Sequence, residues 1–266
     1  MTHKIPHITL IGGGNVAFHL ADRLSNTRVI VDAVFSRTAA HAEETAALVN
    51  SAAITEAGLI PQGSDLYLVA LADQATEDFV ARFRPSHGIV AHTSGSLSLS
   101  MLAPTNRPHA VIYPLQTFSR SKRVDFSKIP VCTEASDDET LRFIDQIASL
   151  LTPDVRHIDT MQRQQTHLAA VFACNFSNFM YVAAADILKE NGLPFDILLP
   201  LIREFFDKLN LMDPWEAQTG PAIRGDQNTI DRQLAMLSHM DGYRRLYELT
   251  STLINDKKYA KHQHQA

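Results

Sequence analysis

The sequence predicts an α/β fold in which a doubly wound parallel sheet occupies the amino-terminal half and helices occupy the rest. Three observations carry that prediction. Short apolar runs alternate with amphipathic stretches over the first 150 residues, the pattern of parallel βαβ units. A glycine cluster, Gly12-Gly13-Gly14, stands between the first apolar run and the first amphipathic one. After Pro153 the spacing becomes helical, apart from one short strand-like run at 155–158, so the expected domains are 1–153 and 154–266.

In chain order, 8–11, 29–35, 66–71, 88–92 and 110–112 read as strands. Segments 16–24, 39–49 and 75–83 carry apolar residues at helical spacing. Segment 137–150 reads as a fourth helix, capped by Ser136 or Asp137, with Leu141, Ile144, Ile147 and Leu151 facing inward. A long helix is expected over 160–191, closed by Asn191-Gly192 and followed by Pro194. Further helices are expected over 194–209 and 228–254, with a break near Asp241-Gly242. The polar tail from Asn255, including His262 and His264, reads as a frayed end and not a metal site.

Composition narrows the function classes. With 45% hydrophobic residues over 266 positions, the chain can build real cores. A net charge of -5, without a basic arm, argues against nucleic acid or an anionic membrane as partner. Two cysteines, Cys132 and Cys174, make neither a disulfide framework nor a metal-binding pair. The polar start and the lack of any run of ~18 apolar residues lead us to expect a cytoplasmic protein without a membrane span.

The glycine cluster is the most specific feature. Gly12, Gly14 and Ala17 satisfy G-x-G-x-x-A directly after a strand. Gly12 permits the tight turn, Gly14 lets a pyrophosphate approach the backbone, and Ala17 keeps helix and sheet close. Gly13, Asn15 and Val16 complete a helix amino-terminus whose free N–H groups suit phosphates. This is the Rossmann pattern for a dinucleotide. The second strand ends in Ser36-Arg37-Thr38, two hydroxyls and a guanidinium suited to the 2′-phosphate of NADP(H). Asp32, the one acidic competitor, lies inside the apolar run. Ala70, Leu71 and Ala72 end another strand where the ribose would lie, and Asp73 is expected to cap the next helix. Thr93 and Ser94, after a further strand, would meet the nicotinamide end, while His92 is equally well a structural residue.

These residues resemble the superfamily of 6-phosphogluconate dehydrogenase-like and pyrroline-5-carboxylate reductase-like proteins. More narrowly, three segments resemble an uncharacterised bacterial family of NADP oxidoreductases that joins a Rossmann-like domain to a helical domain of unknown function. They are His92-Thr93-Ser94-Gly95-Ser96, Pro114-Leu115-Gln116-Thr117-Phe118, and Thr219-Gly220-Pro221-Ala222-Ile223-Arg224-Gly225-Asp226, joined by His167 and Asn175. The resemblance implies an all-α 6-phosphogluconate dehydrogenase C-terminal-like second domain, a homodimer formed through it, and a substrate cleft between domains. Hydroxyacid dehydrogenases of the superfamily carry Lys-x-x-x-Asn on the long helix, but Val171 lies four residues before Asn175 here, and Tyr113 stands where many relatives have His.

For hydride transfer the expected proton donor is His167, with Asn175 as orienting group; on an ideal α-helix Asn175 and Asn178 share its side. Hydrogen bonding of these side chains to neighbouring helices is the competing reading. Gln116 and Thr117 are candidate substrate contacts, and Arg224 could hold a carboxylate, while Asp226 suits a helix cap. The expected function is an NADP(H)-dependent oxidoreductase acting on a small polar carbonyl, alcohol or imine, without a metal. The alternative is a non-catalytic NADP(H)-binding sensor.

Overall fold

A computed structural model, describing residues 5–263, resolves the first part of the chain into one eight-stranded sheet. The strands are β1 (His7–Ile11), β2 (Ile30–Phe35), β3 (Ala52–Ile54), β4 (Leu66–Val69), β5 (Ile89–His92), β6 (His109–Pro114), β7 (Val131–Ala135) and β8 (Val155–His157). Their order is β3-β2-β1-β4-β5-β6-β7-β8. All neighbours pair parallel except β6 and β7. The chain order reverses between β1 and β4, the switch point at which such sheets bind ligands beyond the carboxyl ends of their strands.

Burial explains which strands are easy to read. Leu66, Tyr67, Leu68 and Val69 of β4 are all buried, as are Ile8, Leu10 and Ile11 of β1, so both appear as continuous apolar runs. The sequence reading lacks β3 and β7. β3 is three residues long and partly exposed, and β7 carries Thr133 and Glu134. Helices α1 (Asn15–Leu24), α2 (Ala39–Leu48), α3 (Asp73–Val80) and α4 (Asp138–Leu151) connect the strands. Asp137 caps α4 by accepting from the Thr140 N–H, and Ile144, Ile147 and Leu151 enter the core.

Then follow α5 (Thr160–Ala170), a π-helical turn (Val171–Phe176), α6 (Ser177–Glu190), α7 (Leu199–Leu209), α8 (Pro221–Arg224), α9 (Gln227–Met236) and α10 (Asp241–Gln263). Asp159 and Gln162 form a capping box on α5. The π-helical turn corrects the picture of one uniform α-helix. Its wider turn changes the angle per residue between His167 and the pair Asn175 and Asn178 from the ideal α-helical value. Asp226 caps α9 through the Thr229 N–H, and α10 extends to Gln263, so the tail is ordered further than a frayed end. His264 lies outside the described residues.

Two compact units emerge, residues 1–175 and 176–266. In the second, the buried apolar side chains among the described residues are Ala183, Ala217, Ala222, Ile230 and Leu237, while Phe176, Phe179, Leu201, Phe205 and Phe206 are exposed. The helical run Thr160–Glu190 is long and apolar enough to cross a membrane by length and composition, contrary to the expectation of no such stretch. Counting unbroken apolar residues missed it because Asn175, Ser177 and Asn178 interrupt a run that is apolar on average.

Candidate functional site

The glycine turn is built as its sequence demands. Gly12 has φ +131°, and a β-carbon there would lie 2.2 Å from the Ala70 carbonyl oxygen, so a side chain is excluded both by conformation and by contact with the end of β4. Its N–H donates to the Phe35 carbonyl at 2.7 Å, tying the turn to β2. A β-carbon on Gly13 would lie 2.9 Å from Ser36 Oγ and His41 Cβ, whereas none on Gly14 would meet anything within 4 Å. The open space therefore lies in front of Gly14, the residue preceding α1. Val16 packs against the core and Ala17 is fully buried; Asn15 donates to the Phe118 carbonyl at 3.0 Å.

Ser36 is buried and accepts from the Thr38 N–H at 3.3 Å, while Arg37 and Thr38 are exposed. Arg37 and Leu71 line a cavity of 520 Å³ with Phe35, Ala75, Phe79 and Arg82. This cavity brings the ends of β2 and β4 to one concave, largely apolar space. Asp32 is committed elsewhere: its carboxylate meets His7 Nδ1 at 2.6 Å and accepts from Ser64 Oγ at 2.5 Å. It is not offered to a ligand beside Arg37. Ala70 is buried, Leu71 half-buried and Ala72 exposed.

The loop after β5 is held from several sides. His92 is fully buried; its Nε2 meets the Ser98 carbonyl at 3.3 Å, and its Nδ1 accepts from the Ser94 N–H at 3.1 Å. Burial, followed by the nearby Arg163 charge, lowers its pKa from 6.5 to about 4. His92 is therefore a neutral structural residue. The unfolded chain takes up this proton first as pH falls below 6.5, so stability present above that pH is lost progressively toward about 4. Between pH 7 and 5 the expected loss from this group is about 2 kcal/mol. Urea unfolding should show it, and His92→Gln should flatten that part of the pH slope; an unchanged slope would assign it to other groups.

Asp73 does not cap α3 with its side chain. It is the first residue of that helix and accepts from Ser94 Oγ at 2.8 Å and from Ser96 Oγ. Ser94 Oγ also accepts from the N–H groups of Ser96 and Leu97, both at 3.1 Å. Its hydroxyl thus organises the loop. Thr93 beside it is buried, with its N–H on the Val69 carbonyl.

The first turns of α5 sit on this loop. Arg163, fully buried, donates to the Ser94 and Leu97 carbonyls at 2.9 and 2.7 Å and pairs with Glu134 at 3.0 Å. Gln164 donates to the Ser96 carbonyl at 2.6 Å. One turn beyond Arg163 is His167, so close to Gly95 that a β-carbon there would lie 2.6 Å from the ring. Tyr113, at the end of β6, meets His167 Nδ1 at 3.0 Å. Burial, then Cys132, pushes the Tyr113 phenol up to about 12, so it keeps its proton at ordinary pH. This Tyr–His pair beside the β5 loop can hold and move a proton.

Gln116 and Thr117 are exposed beyond β6, with Gln116 Oε1 accepting from the Thr117 N–H at 2.7 Å. Asn175 is exposed on the π-helical turn. Arg224 is exposed at the end of α8 in the second unit.

A protein from Bacteroides fragilis described as a "putative NADP oxidoreductase" is 40% identical in sequence to this chain. It matches over 95% of this chain and 98% of its own, with a TM-score of 0.90. The chain belongs to its family. The model of a domain of unknown function, DUF2520, matches residues 129–254. More distant folds confirm the architecture. Pyrroline-5-carboxylate reductase from Streptococcus pyogenes shares 15% identity over 95% of this chain and 99% of its own, with a TM-score of 0.63. A reductive aminase from Aspergillus terreus, solved with NADPH and ethyl-5-oxohexanoate, shares 15% identity over 96% and 92%, with a TM-score of 0.61. No functionally curated protein matches in sequence.

Within this family member, sequence reasoning missed three things at the site: the buried clamp of Arg163, the serine-holding role of Asp73, and Tyr113 as partner of His167. The one signal in the sequence is Tyr113, which stands where many relatives have His.

Proposed function

We propose that the protein is an NADP(H)-dependent oxidoreductase acting on a small polar carbonyl, alcohol or imine. The glycine turn carries the reading: Gly12 admits no side chain, open space lies before Gly14, and Arg37 lines the adjoining cavity. The backbone N–H groups at the start of α1 would hold the pyrophosphate. Ser36, Arg37 and Thr38 would hold the 2′-phosphate, and Ala70, Leu71 and Ala72 would border the ribose. Thr93 and the Ser94 loop would border the nicotinamide, which when bound supplies or accepts the hydride. His167 exchanges the proton with the substrate oxygen or nitrogen, and Tyr113 fixes its ring. Asn175, Gln116 and Thr117 are the proposed polar contacts, with Arg224 suited to a carboxylate.

The Bacteroides relative's description and the NADPH bound to the reductive aminase support the cofactor. The exposed phenylalanines of the second unit support a homodimer formed through its helices. Titration with NADPH and NADH, followed by nicotinamide fluorescence, tests the reading. NADPH is expected to bind more tightly, and Arg37→Ala to weaken NADPH roughly 10- to 100-fold while sparing NADH, the loss of one hydrogen bond to a charged group. Folded protein that binds neither nucleotide would refute it.

A further inference from the structure

The turn after β6 lays an arginine on the glycine loop from outside the fingerprint. Ser119 and Lys122 pair across this turn, and α1 fastens it. Asn15 donates to the Phe118 carbonyl, His19 Nε2 meets the Ser119 carbonyl at 3.0 Å, and the Phe118 and His19 rings lie 5.2 Å apart. At its tip the Arg120 guanidinium donates to the Gly13 carbonyl and to the Glu44 carboxylate of α2, 5.0 Å above the Phe18 ring. Gly13 in turn packs against Ser36 and His41. Arg120 thus reaches the side of the glycine loop where β2 ends, although it lies more than 80 residues later in sequence than Arg37.

We propose that Arg120 is a second arginine for the 2′-phosphate of NADP(H), and that Glu44 is the counter-ion it exchanges for that phosphate; this rests on the NADP(H) reading above. Glu44 has a side-chain exposure of 50% against 24% for Arg120. A half-exposed carboxylate holds an arginine weakly, whereas a phosphate dianion offers more charge and more acceptor oxygens to the same fork. The Phe18 face keeps the guanidinium in place, so the exchange moves the Glu44 side chain into water and not the arginine. A contact at the pyrophosphate would serve NADH and NADPH alike; one at the 2′-phosphate serves NADPH alone.

The test compares dissociation constants of NADPH and NADH for wild type, Arg120→Ala, Glu44→Gln and Arg37→Ala, each checked for an unchanged melting temperature. Arg120→Ala is expected to weaken NADPH about tenfold and NADH less than twofold, consistent with one lost charge-assisted contact. Glu44→Gln is expected to tighten NADPH about two- to fivefold by removing the competing carboxylate. Equal weakening of both nucleotides by Arg120→Ala would overturn the proposal, as would no change in a protein that still loses NADPH on Arg37→Ala. Weaker NADH binding by Glu44→Gln would give that carboxylate to the ribose and likewise overturn it. Wild type that binds neither nucleotide would remove the cofactor reading itself.

Discussion

Arg163→Ala is expected to destabilise the protein by about 3–5 kcal/mol, the cost of breaking a buried ion pair from one side. The residue is fully buried, and its loss strands the Glu134 carboxylate and the carbonyls of Ser94 and Leu97. Glu134 retains its bond from Thr160 at 2.8 Å, which limits but does not remove the penalty. Arg163→Lys should recover little, because an ammonium cannot span a carboxylate and two carbonyls with the geometry of a planar fork. Glu134→Gln should cost less, about 1–3 kcal/mol, since the amide oxygen can still accept from Thr160 and Arg163. Urea midpoints measure all three; a loss below about 1 kcal/mol for Arg163→Ala would mean that the clamp is dispensable.

The contrast between the glycine turn and this clamp shows what sequence can reveal. Gly12, Gly14 and Ala17 are constrained by neighbours within a few residues and by one strand contact, so their spacing alone encodes their geometry. Ser36-Arg37-Thr38 is legible for a related reason: the position where β2 ends relative to β1 follows from the alternation. Arg163 looks in sequence like a solvent-facing residue on a helix. Its burial depends on a loop 66 to 69 residues earlier and on Glu134, 29 residues earlier. Asp73 was legible as a helix start but not as a serine acceptor, because the serines come from another strand's end. The π-helical turn at Val171–Phe176 has no local marker, since its residues suit an α-helix equally well. Tyr113 arrives from β6, so no helical angle along the chain could have paired it with His167.

His167→Ala is expected to reduce turnover about 10²- to 10⁴-fold, the range supplied by a positioned acid or base, while leaving NADPH affinity within twofold. The measurement is NADPH consumption against a panel of small ketones and cyclic imines, with nucleotide binding measured on the same samples. Tyr113→Phe should cost less, about tenfold, because it removes one hydrogen bond without removing the imidazole. Its distinguishing readout needs no substrate. A protonated phenol donating to His167 Nδ1 leaves Nε2 as the N–H of the neutral ring, and ¹⁵N shifts should report that tautomer in wild type and a mixture in Tyr113→Phe. Gly95 lies against that ring so closely that a β-carbon on it would overlap the imidazole. Full turnover by His167→Ala would move the proton transfer to another group. A wild type that binds NADPH tightly yet reduces nothing in the panel, with the tautomer fixed as described, would instead favour the non-catalytic sensor, in which Tyr113 and His167 shape a pocket without moving a proton.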